Sequence, residues 1–300
     1  MNVLPLVSIV AVCYNQDKWV IQTLDSIKEQ TYPNIQLIIA DDGSTDNSKQ
    51  LIKNWIAENA PGTTFISHEK NIGLTKNINS GLPYIKGNYF QAFGCDDIML
   101  PTKIEQQVAT MEDCKSVGII YSDMYFIDAE GKKLDGSYFQ KHVYKKPAGG
   151  NLYEALIDRF IISAPSVLIR REVIDKLKGY NETLDYEDHD FFLRAAKSFE
   201  FLYVPAQTVF YRITGESLST TTKSIDLKFA RNSFLIFYQN FDTDKEYKSL
   251  FEKKLFFYLK KLYALKYKYA SGLFFKAFLK TRNPAFLKYS LASLPFYFKK

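Results

Sequence analysis

Cysteine is scarce in this chain of 300 residues: Cys13, Cys95 and Cys114 share no CxxC spacing and leave one thiol without a mate. That disfavours both a disulfide framework and a structural zinc site, and a reducing compartment is the simple reading. His68, His142 and His189 are too scattered to suggest a ligand cluster. No apolar run approaches the roughly 18 residues that a spanning helix requires. The apolar stretch near the N-terminus has no basic segment before it and runs into Asn15, so it reads as a strand and not as a signal peptide. A soluble or peripheral protein is expected. GxGxxG and GxSxG are both missing, which removes the basis for a dinucleotide-binding dehydrogenase or a serine-nucleophile hydrolase.

What is present is carboxylate at the ends of apolar runs. Val7–Cys13 reads as a buried strand, Ile35–Ala40 as the next, and the latter ends in Asp41-Asp42. Tyr89–Gly94 ends in Cys95-Asp96-Asp97, and Glu187-Asp188-His189-Asp190 opens an amphipathic helix. Helical spacing at Val20, Leu24 and Ile27, and again around Leu51, Trp55 and Ile78, separates the first strands. Such alternation predicts an α/β fold with a mostly parallel open sheet. Acids at the C-terminal ends of successive strands in such a sheet are expected to converge on one crevice. Within the turn after the second strand, Asp42 is expected to brace Ser44 and Asp46. Later segments predict strands at Gly118–Asp123, Met124–Ile127, Ser166–Ile169, Phe201–Val204 and Val209–Arg212, with a hairpin turn at Ala129-Glu130-Gly131 and a helix at Leu152–Ile161.

VSIVAVCYNQDKWVIQTLDSIKEQTYPNIQLIIADDGSTDNS, followed in order by NIGLTKNINSG, FGCDDIMLP, SVLIRREV, GYNETLDYEDHDFFLRAA and FYRITGESLS, resembles the family 2 glycosyltransferases over roughly residues 5–220. The resemblance implies a GT-A fold and transfer of a sugar from a nucleotide-diphosphate donor, UDP-linked by preference, with inversion. The acceptor would be a saccharide or lipid-linked saccharide, in surface-polysaccharide assembly. It implies that Val12, Tyr14, Asp41, Lys76 and Asp96 contact the nucleotide, and that Asp96 holds Mn²⁺ or Mg²⁺ through the diphosphate. Asp188 would be the catalytic base, with Asp97 and Glu187 on the substrate side.

Each assignment has a plainer counterpart. Tyr14 could pack at a strand end, Lys76 could be a solvated helix residue, Asp97 could cap the helix after Pro101, and Asp188 suits the first turn of a helix electrostatically. Asp190 lies four residues before Arg194 and could pair with it. The sequence also departs from the family. Gly94 stands where the first aspartate of the Asp-x-Asp metal motif is expected, Lys76 replaces an arginine, and Thr214 stands where a histidine often follows the Tyr-Arg pair. These departures keep open an alternative: a catalytically degenerate nucleotide- or glycan-binding scaffold of an assembly complex.

Charge divides the chain. Residues 1–222 hold 22 Lys/Arg against 28 Asp/Glu, whereas 223–300 hold 17 against 5 and contain 21 of the 47 aromatics. Two regions are therefore expected, a 1–222 transferase domain and a 223–300 helical appendage. Phe251, Leu255, Leu259, Leu262 and Leu265 recur at helical spacing beside Lys253, Lys254, Lys260 and Lys261. That pattern suits either an anionic membrane surface or a helical cap with a solvated lysine face. No nucleic-acid-binding motif accompanies it. The expected location is cytoplasmic, with peripheral attachment to the inner face of a membrane.

Overall fold

A computed structural model describes residues 4–142, 149–159, 162–186, 188–214 and 223–298. Strands β1 (Val7–Cys13), β2 (Ile35–Asp41), β3 (Thr64–Ser67) and β4 (Tyr89–Gly94) lie side by side in the order β3-β2-β1-β4, all parallel. The helices α1 (Val20–Lys28), α2 (Ser48–Asn59) and α3 (Leu74–Gly81) fall between them in the chain. Every residue of β1 is buried, as expected for a central strand covered on both faces. Its side chains alternate: Val7, Ile9, Ala11 and Cys13 join one core cluster, Val10 and Val12 the other.

Beyond β4 the sheet becomes mixed. It adds β5 (Ile98–Met99), β6 (Val117–Ile127), β7 (Lys133–Ser137), β8 (Leu168–Arg170) and β9 (Glu200–Arg212). β8 runs antiparallel to both β4 and β6, β6 pairs parallel with β9, and β5 and β7 add antiparallel pairs. The mostly parallel expectation thus describes the first half. β8 is three residues long, and so short an apolar run carries no signal of its direction. The two strands expected within 118–127 are one, β6, and those at 201–204 and 209–212 are also one, β9. The apparent gaps mark shifts in register near Asp123 and Gln207, where bulges absorb extra residues. The expected hairpin joins β6 to β7.

The remaining helices are α4 (Lys103–Asp113), α5 (Tyr138–His142), α6 (Tyr153–Asp158), α7 (Arg171–Leu177), α8 (Asp188–Ala196), α9 (Lys223–Asn240), α10 (Lys248–Ala264), α11 (Ala270–Thr281) and α12 (Pro284–Phe298). Phe251, Leu255, Leu259 and Leu262 of α10 are completely buried. They share a core cluster with Leu156, Phe191, Phe234 and Phe237. The apolar stripe of α10 is therefore a packed cap and is not available to a membrane. The compositional boundary at 222 does not interrupt the core.

Lys103 is buried between β4, α4 and the turn before β8. Its ammonium donates to Gln91 Oε1 (2.6 Å), Gln107 Oε1 (2.7 Å) and the Val167 carbonyl (3.1 Å). Both glutamines also donate to this turn, at the Pro165 and Ser166 carbonyls. Burial among neutral acceptors pushes the lysine well below its ordinary pKa. Between that lowered value and about 10.5, the unfolded chain holds a proton that the folded chain lacks, so stability rises with pH. Wild type should gain stability relative to Lys103→Met as pH rises toward about 10.5, measured by urea midpoints. A difference independent of pH would deny the buried charge this role.

Candidate active site

β1 and β2 end level with one another, Cys13 opposite Asp41, and β4 ends with Gly94 opposite Val12. The loops leaving these strands are laced together. Asn15 has a positive φ of 52°, and its amide donates to Ser44 Oγ at 2.9 Å while its own Oδ1 accepts from the Thr45 amide at 2.8 Å. The Gln16 and Asp17 amides donate to Ser48 Oγ and Asp46 Oδ2. Gly43 has φ +73° and sits so close to the backbone of Lys70 that a Cβ would lie 2.3 Å from its carbonyl carbon. Only glycine fits there.

The two aspartates of this turn exchange the bracing role expected of Asp42. Asp41 is fully buried, and its carboxylate accepts from both the amide and the hydroxyl of Ser44. Asp42 reaches across to the next loop, accepting from the Ile72 amide (2.7 Å) and the Gly73 amide (3.0 Å). The expected brace on Ser44 thus comes from Asp41, because adjacent residues at a strand end point in opposite directions. Val12 is buried, and its carbonyl accepts from the Cys95 amide. Tyr14 is 45% exposed at the end of β1, which sets aside ordinary core packing. Lys76 is exposed on α3.

Asp96 folds back over Gly94: a Cβ at Gly94 would lie 2.7 Å from Asp96 Oδ1. The surviving carboxylate thus occupies the space beside the position of the missing aspartate. Withdrawal from water pushes Asp96 upward in pKa, opposed by the Arg212 charge and a hydrogen bond from the Gln16 side chain. Cys95 lies underneath, its thiol pushed up by a hydrogen bond with Cys13, by burial and by the charges of Asp96 and Asp41. The charges of Asp41 and Asp96 thus both bear on one buried thiol.

Asp97 is buried and accepts from the Arg212 amide at 2.9 Å; burial and the neighbouring Asp96 push it well above the usual carboxylate range. It braces β9, while the N-cap of α4 is Thr102, whose own side chain makes no capping hydrogen bond. Arg212, 1% exposed, donates to the carbonyls of Asp96 (2.8 Å), Asp128 (3.1 Å) and Ala129 (3.0 Å) and to Gln22 Oε1 (2.6 Å). One guanidinium fork thereby ties the acidic loop to α1 and the β6–β7 turn. Thr214 is buried just beyond it.

Asp188 opens α8, half-buried, with Oδ1 accepting from the His189 amide at 2.7 Å. Removal from water pushes its pKa up to about 6. Its charge is felt by the hydroxyls of Tyr138 and Tyr186. The two regions are joined through α3. Thr75 Oγ1 donates to the Leu184 carbonyl (2.8 Å) and Asn79 Nδ2 to the Tyr180 carbonyl (2.8 Å), while α3 begins at the turn that Asp42 holds. Lys76 lies on that bridge. Asp190 pairs with Arg194 at 2.7 Å as its spacing suggested, and His189 bonds the Leu156 carbonyl, its pKa lowered by burial. Glu187 lies outside the described residues. A cavity of about 820 Å³ opens at the opposite end of the central strands, where β4 begins, among Lys86, Tyr89, Glu112 and Arg170, and contains none of the candidate residues.

A model of the family described as "Glycosyl transferase family 2" matches residues 8–178. The chain belongs to this family. Among its relatives, an uncharacterised glycosyltransferase of Methanocaldococcus jannaschii is 27% identical over 212 residues, covering 70% of this chain and 71% of the relative. Another, from Haemophilus influenzae, is 30% identical over 220 residues, covering 72% and 83%. The fold of the transferase is GT-A. Residues 1–349 of Staphylococcus aureus TarS, in complex with UDP-GlcNAc, superpose with a TM-score of 0.69 at 16% identity, over 96% of this chain and 88% of that one. A mannosyltransferase of Pyrobaculum calidifontis, in complex with GDP-Man and Mn²⁺, gives 0.63 at 15%, over 98% and 86%.

Among the described residues, no three His, Cys, Asp or Glu side chains gather to hold a metal in the transferase. The chemistry still fits a hard cation that takes a single protein carboxylate and completes its shell with water and phosphate oxygens. Beside Asp96, Gln16 Oε1 is buried without a hydrogen-bond partner, an acceptor facing the same region. Sequence reasoning missed Gln16, which no spacing marks, and Arg212, which the Tyr-Arg pair did signal. It also missed Tyr138 and Tyr186, which depend on contacts distant in the chain.

Proposed function

We propose that the transferase moves one hexosyl group with inversion from a nucleotide-diphosphate donor, UDP-linked by preference, to a saccharide or lipid-linked saccharide. The setting would be surface-polysaccharide assembly at the inner face of a membrane. The observation that carries this reading is Asp188, a half-buried carboxylate at a helix start whose pKa lies near 6, in the range suited to a base at neutral pH. In the proposed reaction the acceptor oxygen forms a bond to the anomeric carbon as the bond to the diphosphate oxygen breaks. The acceptor proton passes to Asp188, and the departing nucleotide keeps the electron pair. UDP-GlcNAc in TarS supports a UDP donor by analogy of fold.

On the donor side, Tyr14 would stack on the base, the Asp41–Asp42 turn would frame the ribose, and Lys76 would face the phosphates. Because Asp41 is sealed within the turn, its share in this is to position Ser44 and Asn15. Asp96 would hold Mn²⁺ or Mg²⁺, which neutralises charge on the leaving diphosphate when bound. Asp97 would act from behind by fixing Arg212, and Glu187 would meet the acceptor.

Tyr14→Ala should weaken UDP binding by about 1–3 kcal/mol, the range for a lost base-stacking contact, in a calorimetric titration. Unchanged affinity would leave the tyrosine without this role. The degenerate-scaffold reading is tested by titrating UDP with and without Mn²⁺ and by following donor hydrolysis in wild type and Asp188→Asn. Binding in both proteins with turnover in neither would favour the scaffold.

A further inference from the structure

From Lys253 to Lys300 the sequence holds twelve Lys/Arg and no Asp/Glu. Within this stretch, α11 and α12 form a hairpin whose inner faces are spent on α10 and on each other. Phe274 stacks on Tyr289 (5.3 Å), Phe256 of α10 meets Phe286 and Tyr289 (5.3 and 5.4 Å), and Ser290 Oγ donates to the Ser271 carbonyl. Phe274, Ala277 and Phe286 are completely buried.

The outer faces are apolar as well. On α11 the exposed positions Gly272, Phe275, Lys276 and Leu279 follow helical spacing, and on α12 Pro284, Lys288, Leu291 and Pro295 do the same, flanked by Leu294 and Tyr297. Leu291 is 61% exposed and Leu279 47%. At one end Lys268 bonds Tyr269 and also senses Tyr297, so an aromatic–lysine edge borders the patch. No helix among the described residues is long and apolar enough to cross a membrane.

We propose that this outer face of the α11–α12 hairpin is the surface by which the transferase docks on an anionic lipid bilayer, lying in its plane. The proposal deepens the reading of a membrane-side acceptor and rests on it. Charge selects the occupant. A second copy would set one acid-free cationic face against another, which repels, whereas anionic headgroups attract each lysine. Leu279, Leu291 and Leu294 would enter the headgroup–acyl boundary, while Lys276 and Lys288 extend their ammonium groups back to phosphate.

The experiment is flotation of the full chain with phosphatidylcholine vesicles, with and without phosphatidylglycerol, at low and high salt. Binding is expected only with the anionic lipid and should fall with salt. Lys276→Gln and Lys288→Gln should each lower partitioning about fivefold. The double variant Leu291→Ser/Leu294→Ser should lower it about tenfold or more, with an unchanged melting curve and donor hydrolysis equal to wild type. Equal flotation on neutral and anionic vesicles, no flotation at all, or a concentration-dependent dimer abolished by the leucine substitutions would overturn the proposal. Donor hydrolysis in solution, read separately, reports on the catalytic assignment whatever the vesicles show.

Discussion

Asp188→Asn is expected to lower kcat for sugar transfer by about 10²–10⁴-fold, the usual contribution of a positioned base. UDP affinity should stay within about twofold, since the amide removes an interaction made at the reacting centre only. Asparagine is nearly isosteric and is at home at a helix start, so the variant should fold. The pH dependence provides a second readout. Withdrawal from water lifts the Asp188 carboxyl to about 6, so the ionised fraction grows as pH rises through that value. In wild type, log kcat/KM should climb with unit slope below about pH 6 and level off above it, and the asparagine variant should lose this rise. For stability the sign is opposite. The folded state holds a proton between the ordinary carboxylate value and about 6, so Asp188 disfavours folding progressively as pH rises through that window. Transfer in Asp188→Asn at the wild-type rate would remove the base from the mechanism.

Arg212→Met should be the most damaging substitution to stability, by about 3–5 kcal/mol in urea unfolding. The side chain has four acceptors, the carbonyls of Asp96, Asp128 and Ala129 and Gln22 Oε1. Its positive charge also opposes the burial of Asp96 and Asp97. Methionine fills much of the volume but leaves these acceptors unpaired and both carboxyls without their cation. Lysine should rescue little, because a single ammonium cannot span acceptors that a planar fork reaches from five N–H groups. UDP binding should weaken in step, because the loop that carries Asp96 loses its tether. A loss under about 1 kcal/mol, typical of an exposed charge, would show that the fork does not hold this loop.

The contrast between the paired aspartates shows how far reading from the chain can go. Their type and place at strand ends were legible, because apolar runs of period-independent burial end where the chain must turn. Which of the two faced the turn was not, since that depends on the pairing of Cys13 with Asp41 and on a loop thirty residues further on. Asp96 is similar. The departure at Gly94 is plain in the sequence, but the swing of Asp96 over Gly94 is set by the tertiary structure. The α10 stripe gave a helical pattern with two uses, and burial of Phe251, Leu255 and Leu259 assigns that one stripe to the core.

The sequence by itself determined the α/β alternation, the family, the acidic strand ends and the charge division at the tail, because each is written in residue type and local period. The tertiary structure alone decided the direction of β8, the Arg212 tether, the α3 bridge from the Asp42 turn to the Asp188 segment, and the outward face of α11 and α12. These rest on contacts between residues far apart in the chain, and such contacts leave no periodic trace in either partner.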